Sequence, residues 1–271
     1  MTTRSTAPLG GAPALKQCCA RAYEGDLARL LLGDSFHPGG LRLTDRLGAL
    51  LHLTPEAIVL DVASGVGASA MALAARYGCG VLGVDYGRQN AIRAVAAAAV
   101  RGLSNRIYFA QADAEALPLA DASVDVVICE CAFCTFPDKG AVAAEFARVL
   151  RPGGQVGLCD VTRSPEIPSG ELNDLLAWIA CLGDARPIAD YVGTLTRAGL
   201  RVSTVERHDE ALEAVVDQVR GRLLAAEVLK GLGKLDLPDV DFRTANSMAR
   251  AALKAIHAGQ LGYATIVADR T

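Results

Sequence analysis

From Ile58 onward, short apolar runs alternate with stretches of helical periodicity, and that alternation limits the chain more than any other feature. Runs that are apolar throughout, rather than alternately apolar and polar, suit strands buried beneath helices on both faces. Strands are expected at residues 58–62, 80–84, 107–111, 124–129 and 155–161, with helices at 69–77, 90–101 and 140–150. Arg151-Pro152-Gly153-Gly154 is expected as the turn that ends the third helix and feeds the next strand. Two later strands, 200–205 and 262–267, complete a seven-stranded, mostly parallel, doubly wound α/β sheet.

Two regions stand outside the alternation. Residues 13–53 read as two helices split by a Gly/Pro loop at 33–40. Residues 209–258 read as two amphipathic helices, 210–230 and about 244–257, joined by Gly231-Leu232-Gly233. The expected organisation is a disordered tail (1–12), an N-terminal helical lid (13–53), a core (54–208 and 259–271) and a helical cap insert (209–258) between strands six and seven. Lid and cap would lie over the carboxyl edge of the sheet, where open α/β folds bind ligands.

Of 271 residues, 51% are hydrophobic and 21% charged, enough for a sizeable core. A net charge of −3 offers no broad positive field to a phosphate backbone, so nucleic acid is not an expected partner and a small molecule is. No stretch approaches the roughly 20 apolar residues of a membrane helix, and the first dozen lack a signal-like apolar run. A cytoplasmic location without membrane attachment is the expectation. The eight cysteines, at 18, 19, 79, 129, 131, 134, 159 and 181, are then not a disulfide framework. Cys129 and Cys159 fall within apolar strands and read as core.

The first strand runs into Asp61-Val62-Ala63-Ser64-Gly65-Val66-Gly67. Glycines there let the backbone approach a ligand, and the next helix presents free N–H groups. A dinucleotide fingerprint would carry G-x-G-x-x-G; this turn has an acid and Ala63 instead, which suits a cationic ligand better than a pyrophosphate. The second strand ends at Asp85, whose carboxylate can accept from both ribose hydroxyls. The third ends in Gln111-Ala112-Asp113-Ala114, where a carboxylate and a backbone N–H can read an adenine edge.

Taken in this order with Glu145–Gly154, these motifs resemble the class I S-adenosylmethionine-dependent methyltransferases over about residues 58–161. The resemblance implies a Rossmann-like fold and S-adenosyl-L-methionine as cofactor. It implies that Asp61, Ala63, Gly65 and Gly67 form the turn cradling the methionine and ribose parts. Asp85 with Tyr86 would take the ribose hydroxyls, and Asp113 with Ala114 the adenine. Glu130, just after the fourth strand, is a cofactor contact, a base or a solvated carboxylate.

The loop beyond reads Cys129-Glu130-Cys131-Ala132-Phe133-Cys134-Thr135-Phe136-Pro137-Asp138-Lys139. Cys131 stands six residues before Pro-Asp-Lys, and Cys181 opens Cys-Leu-Gly; in both respects the chain resembles the arsenite methyltransferases. That resemblance implies Cys131 and Cys181 as ligands of trivalent arsenic, the substrate, in metalloid detoxification with a thiol reductant. The family's further cysteines find no match here, where the loop reads Gly33-Asp34-Ser35-Phe36. The adjacent pair Cys18-Cys19 stands as a substitute, although neighbours point about 100° apart on a helix, so one at most faces a site. Cys134 is a third thiol or faces away. His37 closes over the substrate or caps its loop, and Tyr23 covers the cofactor or packs in the core.

The leading expectation is an enzyme that methylates thiol-bound arsenic, with Cys131, Cys181, Cys18, Cys19 and Cys134 as candidate substrate-handling residues. A natural-product or small-metabolite O-, N-, C- or S-methyltransferase with incidental thiols is the second reading, favoured by the long insert. A soft-metal sensor on the same fold, without turnover, is the third.

Overall fold

The computed structural model describes residues 11–33, 36–165, 184–234 and 241–271. Its sheet has seven strands in the order β3-β2-β1-β4-β5-β7-β6. The first five strands are β1 (Ile58–Val62), β2 (Gly80–Asp85), β3 (Ile107–Gln111), β4 (Val124–Glu130) and β5 (Leu150–Arg163), all paired in parallel. β6 (Leu200–Arg207) and β7 (Leu261–Arg270) follow, and β7 runs antiparallel to both β5 and β6. The chain reverses strand order beside β1, which makes the carboxyl ends of β1 and β4 the crevice of the fold.

Helices α1 (Gly11–Glu24), α2 (Asp26–Leu32) and α3 (Gly40–Leu50) precede the sheet. The expected two N-terminal helices are thus three, because Gly25 interrupts the first run with an extended backbone at φ −74° and ψ 152°. α4 (Ala68–Tyr77), α5 (Arg88–Val100) and α6 (Lys139–Val149) cross between parallel strands, and α7 (Ile188–Arg197) precedes β6. α8 (Asp209–Gly231) and α9 (Phe242–His257) occupy the insert between β6 and β7. Position 1 to 10 of the expected tail, and residues 166–183 with Cys181, lie outside the described residues.

The turn expected at Arg151–Gly154 is a correction as well. Leu150 already pairs with Val124, and Gln155 pairs with Val126, so the four intervening residues form a bulge inside β5 rather than a separate turn. Gly153, at φ 79°, supplies the backbone reversal.

The central strands β1, β4 and β5 are buried on both faces, as uniform apolar runs require, whereas the edge strand β3 leaves Tyr108, Ala110 and Gln111 exposed. Leu60, Val127, Leu158 and Ile266 belong to one core layer with α6 and α7; Val59, Ile128, Cys159 and Tyr263 belong to the other with α3, α4, α8 and α9. Each fully buried Leu or Ile contributes about 1.5–3 kcal/mol. α3 and the residue after it lie tight against the sheet: a Cβ on Gly157 of β5 would stand 2.6 Å from Leu47 and 2.8 Å from Leu51. That close approach delivers Thr44, on the same helix, to the carboxyl end of β4.

Candidate active site

Between β1 and α4 the chain reverses through Ala63 (φ 60°), Gly65 (φ 54°) and Gly67 (φ 80°). Ala63 pays for its left-handed backbone with roughly 1–2 kcal/mol of steric strain, a cost that gathers at functional turns. The turn is closed by the Gly67 N–H donating to the Ser64 carbonyl at 2.8 Å. The two glycines are not equivalent. A Cβ at Gly65 would meet nothing nearer than Phe36 at 3.6 Å, whereas one at Gly67 would stand 2.4 Å from the Phe109 ring. Gly65 faces open space at the turn; Gly67 is needed for packing and does not line the cleft.

Acidic groups gather at the strand ends. Asp61 is 3% exposed, and its Oδ2 has no hydrogen-bond partner among the described residues, nor has the buried Ser64 Oγ. Burial pushes the Asp61 carboxyl well above the usual carboxylate range, with Glu130 and Asp85 adding to the rise. Asp85 is held by three donors: Gly65 N–H at 2.8 Å, Gly87 N–H at 2.7 Å and Asn90 Nδ2 at 3.3 Å. Burial still outweighs them and raises its pKa. Unused acceptors beside buried carboxyls fit a ligand that brings both positive charge and N–H or O–H donors.

A cleft of about 870 Å³ opens at these strand ends, lined by Ala63, Gly65, Asp85, Tyr86, Asp113, Ala114, Glu130 and Cys131. Every one of them was expected at a ligand site. Asp61 borders an adjoining smaller chamber that shares Ala63, Gly65 and Glu130 with the cleft. The opposite wall comes from α1, through Lys16, Cys19, Ala20 and Tyr23. Their spacing of i, i+3, i+4 and i+7 is a single helix face. It selects Cys19 and leaves Cys18 half-exposed off the cleft. Tyr23 meets Phe36 with ring centroids 6.1 Å apart.

The thiols separate by position. Cys131 is half-buried with φ 54°, the left-handed backbone turning its side chain to the cleft wall, and its N–H donates to the Cys159 carbonyl at 2.7 Å. Cys134 is 1% exposed, sits in the core and does not line the cleft; its N–H donates to Asp160 at 2.9 Å. Cys129, Cys159 and Cys79 are core residues, and burial raises the pKa of each. Among the described residues, no group of three His, Cys, Asp or Glu is disposed to hold a metal ion. The described thiols at the cleft are Cys19 and Cys131.

Beneath Glu130 lies a polar cluster that only its histidine announced in sequence. Thr44 Oγ1 donates to the Glu130 carboxylate at 3.1 and 3.2 Å, and lies 3.3 Å from both His37 Nε2 and Ser69 Oγ. His37 Nδ1 faces the Pro38 carbonyl at 3.2 Å; a carbonyl only accepts, so Nδ1 carries the proton. Nε2 then points toward Glu130, 3.8 Å away. Lys16, Asn90, Thr44 and Ser69 were missed, because nothing in linear spacing tells which face of a helix covers a cleft.

Residues 60–158 match a family model described as a methyltransferase domain. The chain is 33% identical over 174 residues to methyltransferase GfsG of Streptomyces halstedii, covering 62% of this chain and 61% of that protein. It is 31% identical over 171 residues to the arsenite methyltransferase of Halobacterium salinarum, covering 62% of this chain and 44% of that protein. The alignments therefore span between about two fifths and three fifths of those relatives. In structure it is similar to a putative sarcosine dimethylglycine methyltransferase from Galdieria sulphuraria, with TM-score 0.79, 20% identity and coverage of 93% and 98% of the two chains. No helix among the described residues is long and apolar enough to cross a membrane.

Proposed function

On the premise that this chain carries a methyltransferase domain on the class I S-adenosylmethionine-dependent methyltransferase fold, we propose that it methylates a small, thiophilic acceptor, trivalent arsenic, held at Cys131 and Cys19. The carrying observation is that one thiol from the end of β4 and one from α1 line the same cleft as Asp85 and Asp113.

The donor set fits S-adenosylmethionine. Asp61 and Ser64 have buried oxygens free to meet its cationic amino-acid end, Gly65 leaves room, and Asp85 and Tyr86 stand where the ribose would lie, with Asp113 and Ala114 beyond. When bound, the cofactor supplies an electrophilic methyl group on a sulfonium. The chain's own contribution is to hold the acceptor. Two thiolates occupy valences of a soft trivalent centre and leave its lone pair available, so no general base is required. Positioning of that sort contributes about 7–11 kcal/mol to a barrier. Cys181 stands three residues before Asp184, whose carboxylate pairs with Lys139 at 2.5 Å beside the Cys134 carbonyl, and is proposed as a further ligand. A thiol reductant would complete turnover.

The test is arsenite-dependent formation of S-adenosylhomocysteine by the purified chain. Cys131→Ser should abolish it and Cys19→Ser should lower it at least tenfold, while cofactor affinity stays within about threefold. Undiminished turnover in Cys131→Ser refutes the metalloid reading.

A second reading rests on the Glu130–Thr44–His37 cluster. A buried carboxylate that accepts from Thr44, with an imidazole 3.8 Å away, is what deprotonation of an organic hydroxyl, amine or thiol would use, and arsenic does not need it. An organic acceptor predicts turnover of a phenol or amine panel without arsenite, and loss of it in Glu130→Gln.

A further inference from the structure

α1 is fastened to the rest of the molecule near its two ends. At one, Lys16 Nζ donates to both oxygens of Asp113, at 3.0 and 2.8 Å, and pairs with Glu115 at 2.5 Å. At the other, Glu24 accepts the Gln89 N–H at 2.8 Å, and Arg93 donates to the Glu24 carbonyl at 2.7 Å. Between these anchors, Cys19, Ala20 and Tyr23 face the cleft. Both anchors land on segments carrying proposed cofactor residues: Asp113 itself, and the start of α5 directly after Asp85 and Gly87.

The Lys16 side chain is only 12% exposed, so the pair is formed inside the edge of the cleft rather than on an outer surface. Its partners raise the ammonium pKa even against burial, which keeps the cation charged. Asp113 keeps 36% of its side chain exposed, and an ion pair open to solvent on one side holds a geometry without locking it, being worth only a few-fold in an equilibrium constant. By contrast, the helices that build the core, such as α3, are held by fully buried leucines. On α1 only Leu15 and Cys19 are buried, with the Tyr23–Phe36 ring contact beside them, so the polar anchors carry a larger share of its fastening and the helix is built to lift.

We infer that α1 is a hinged roof over the adenosine half of the cleft and that Lys16 is its latch, a positioning residue acting through Asp113 and Glu115. This rests on the cofactor reading above and not on the choice of acceptor. In the closed form the roof brings Lys16, Cys19 and Tyr23 down onto the cleft. Exchange of the cofactor requires Lys16 to release Asp113, so the latch sets how fast the cleft is entered and left.

The experiment measures association and dissociation of S-adenosylhomocysteine by surface plasmon resonance for the full chain, Lys16→Arg and Lys16→Met. Arg keeps the charge; Met keeps length and helix propensity. In Lys16→Met, both rates should rise by about fivefold, while Lys16→Arg stays close to wild type. Added salt should speed the wild type toward the Met variant and leave that variant nearly unchanged. Amide exchange across residues 11–24 should be slowed by S-adenosylhomocysteine and hastened in unliganded Lys16→Met. A rise in dissociation alone would make Lys16 a simple cofactor contact and overturn the latch. Equal rates in all three chains, or exchange in α1 indifferent to the ligand, would overturn it too. No binding by the wild type would instead sink the cofactor reading.

Discussion

A buried carboxyl with an unpartnered oxygen weakens a fold unless something else uses it, and Asp61 is such a group. Its folded pKa lies well above 3.8, so between 3.8 and that raised value the folded chain binds more protons than the unfolded one. Stability contributed by the proton is therefore present below this window and lost as pH rises through it. Ionised Asp61 is a net cost to the empty protein and a partner for a cation. Asp61→Asn should raise the melting temperature of the unliganded chain at neutral pH by about 2–4 °C, which corresponds to roughly 1 kcal/mol. The same variant should bind S-adenosylmethionine about 10–100-fold more weakly and lose the acid-side fall in affinity, both read by calorimetric titration across pH. A lower melting temperature would show that the carboxylate is structural. The two glycines of the neighbouring turn divide along similar lines. Gly67→Ala forces a Cβ into the Phe109 ring at a positive φ, and should cost about 2–4 kcal/mol in urea unfolding. Gly65→Ala meets only Phe36 at van der Waals distance, and should cost about 1–2 kcal/mol of backbone strain while weakening cofactor binding more than its partner does.

Elements carry these residues to one place, and their contacts explain what the sequence could and could not disclose. Strand ends were legible, because apolar runs stop at an acid or glycine and the doubly wound order puts those ends at one edge. Asp61, Asp85, Asp113 and Glu130 follow from that rule. The facing of helices was not legible. α1 offers Cys18 and Cys19 equally in sequence, and the docking of the helix through Lys16, Glu24 and buried Leu15 turns Cys19 inward. Cys131 and Cys134 lie three residues apart in one loop, yet a single left-handed residue sends the first to the cleft and leaves the second in the core. α3 shows how an element fixes a site from behind. It lies against β5 at Gly157, and its register presents Thr44 to Glu130. Gly157→Val should cost about 1–3 kcal/mol in urea unfolding by overpacking Leu47 and Leu51. With α3 displaced, amide exchange at residues 36–50 should quicken before the sheet itself opens; exchange unchanged there would mean that the core absorbs the new methyls locally.

At the scale of the whole molecule, the two thiols of the cleft belong to parts that are fastened differently. Cys131 is fixed to β4 in the centre of the sheet, while Cys19 rides on α1, which is held by polar anchors. An acceptor bonded to both sulfurs would tie the roof to the floor, and would bind only the form in which the roof is down. A cofactor bound beneath the same helix, as proposed, would favour that form as well. Two ligands that select one conformation must strengthen each other, and by the same factor in either direction. Arsenite should therefore tighten S-adenosylhomocysteine, and S-adenosylhomocysteine should tighten arsenite equally, within the range of about 5–150-fold usual for such coupling. Both arms are measurable by titration calorimetry with the other ligand saturating. Cys19→Ser removes the tie, so the ratio of affinities with and without arsenite should fall to one in that variant, with Cys131 still able to bind the metalloid on the sheet side. Coupling that survives Cys19→Ser would place the tie elsewhere, and equal affinities in the wild type would show that roof and floor do not share the acceptor.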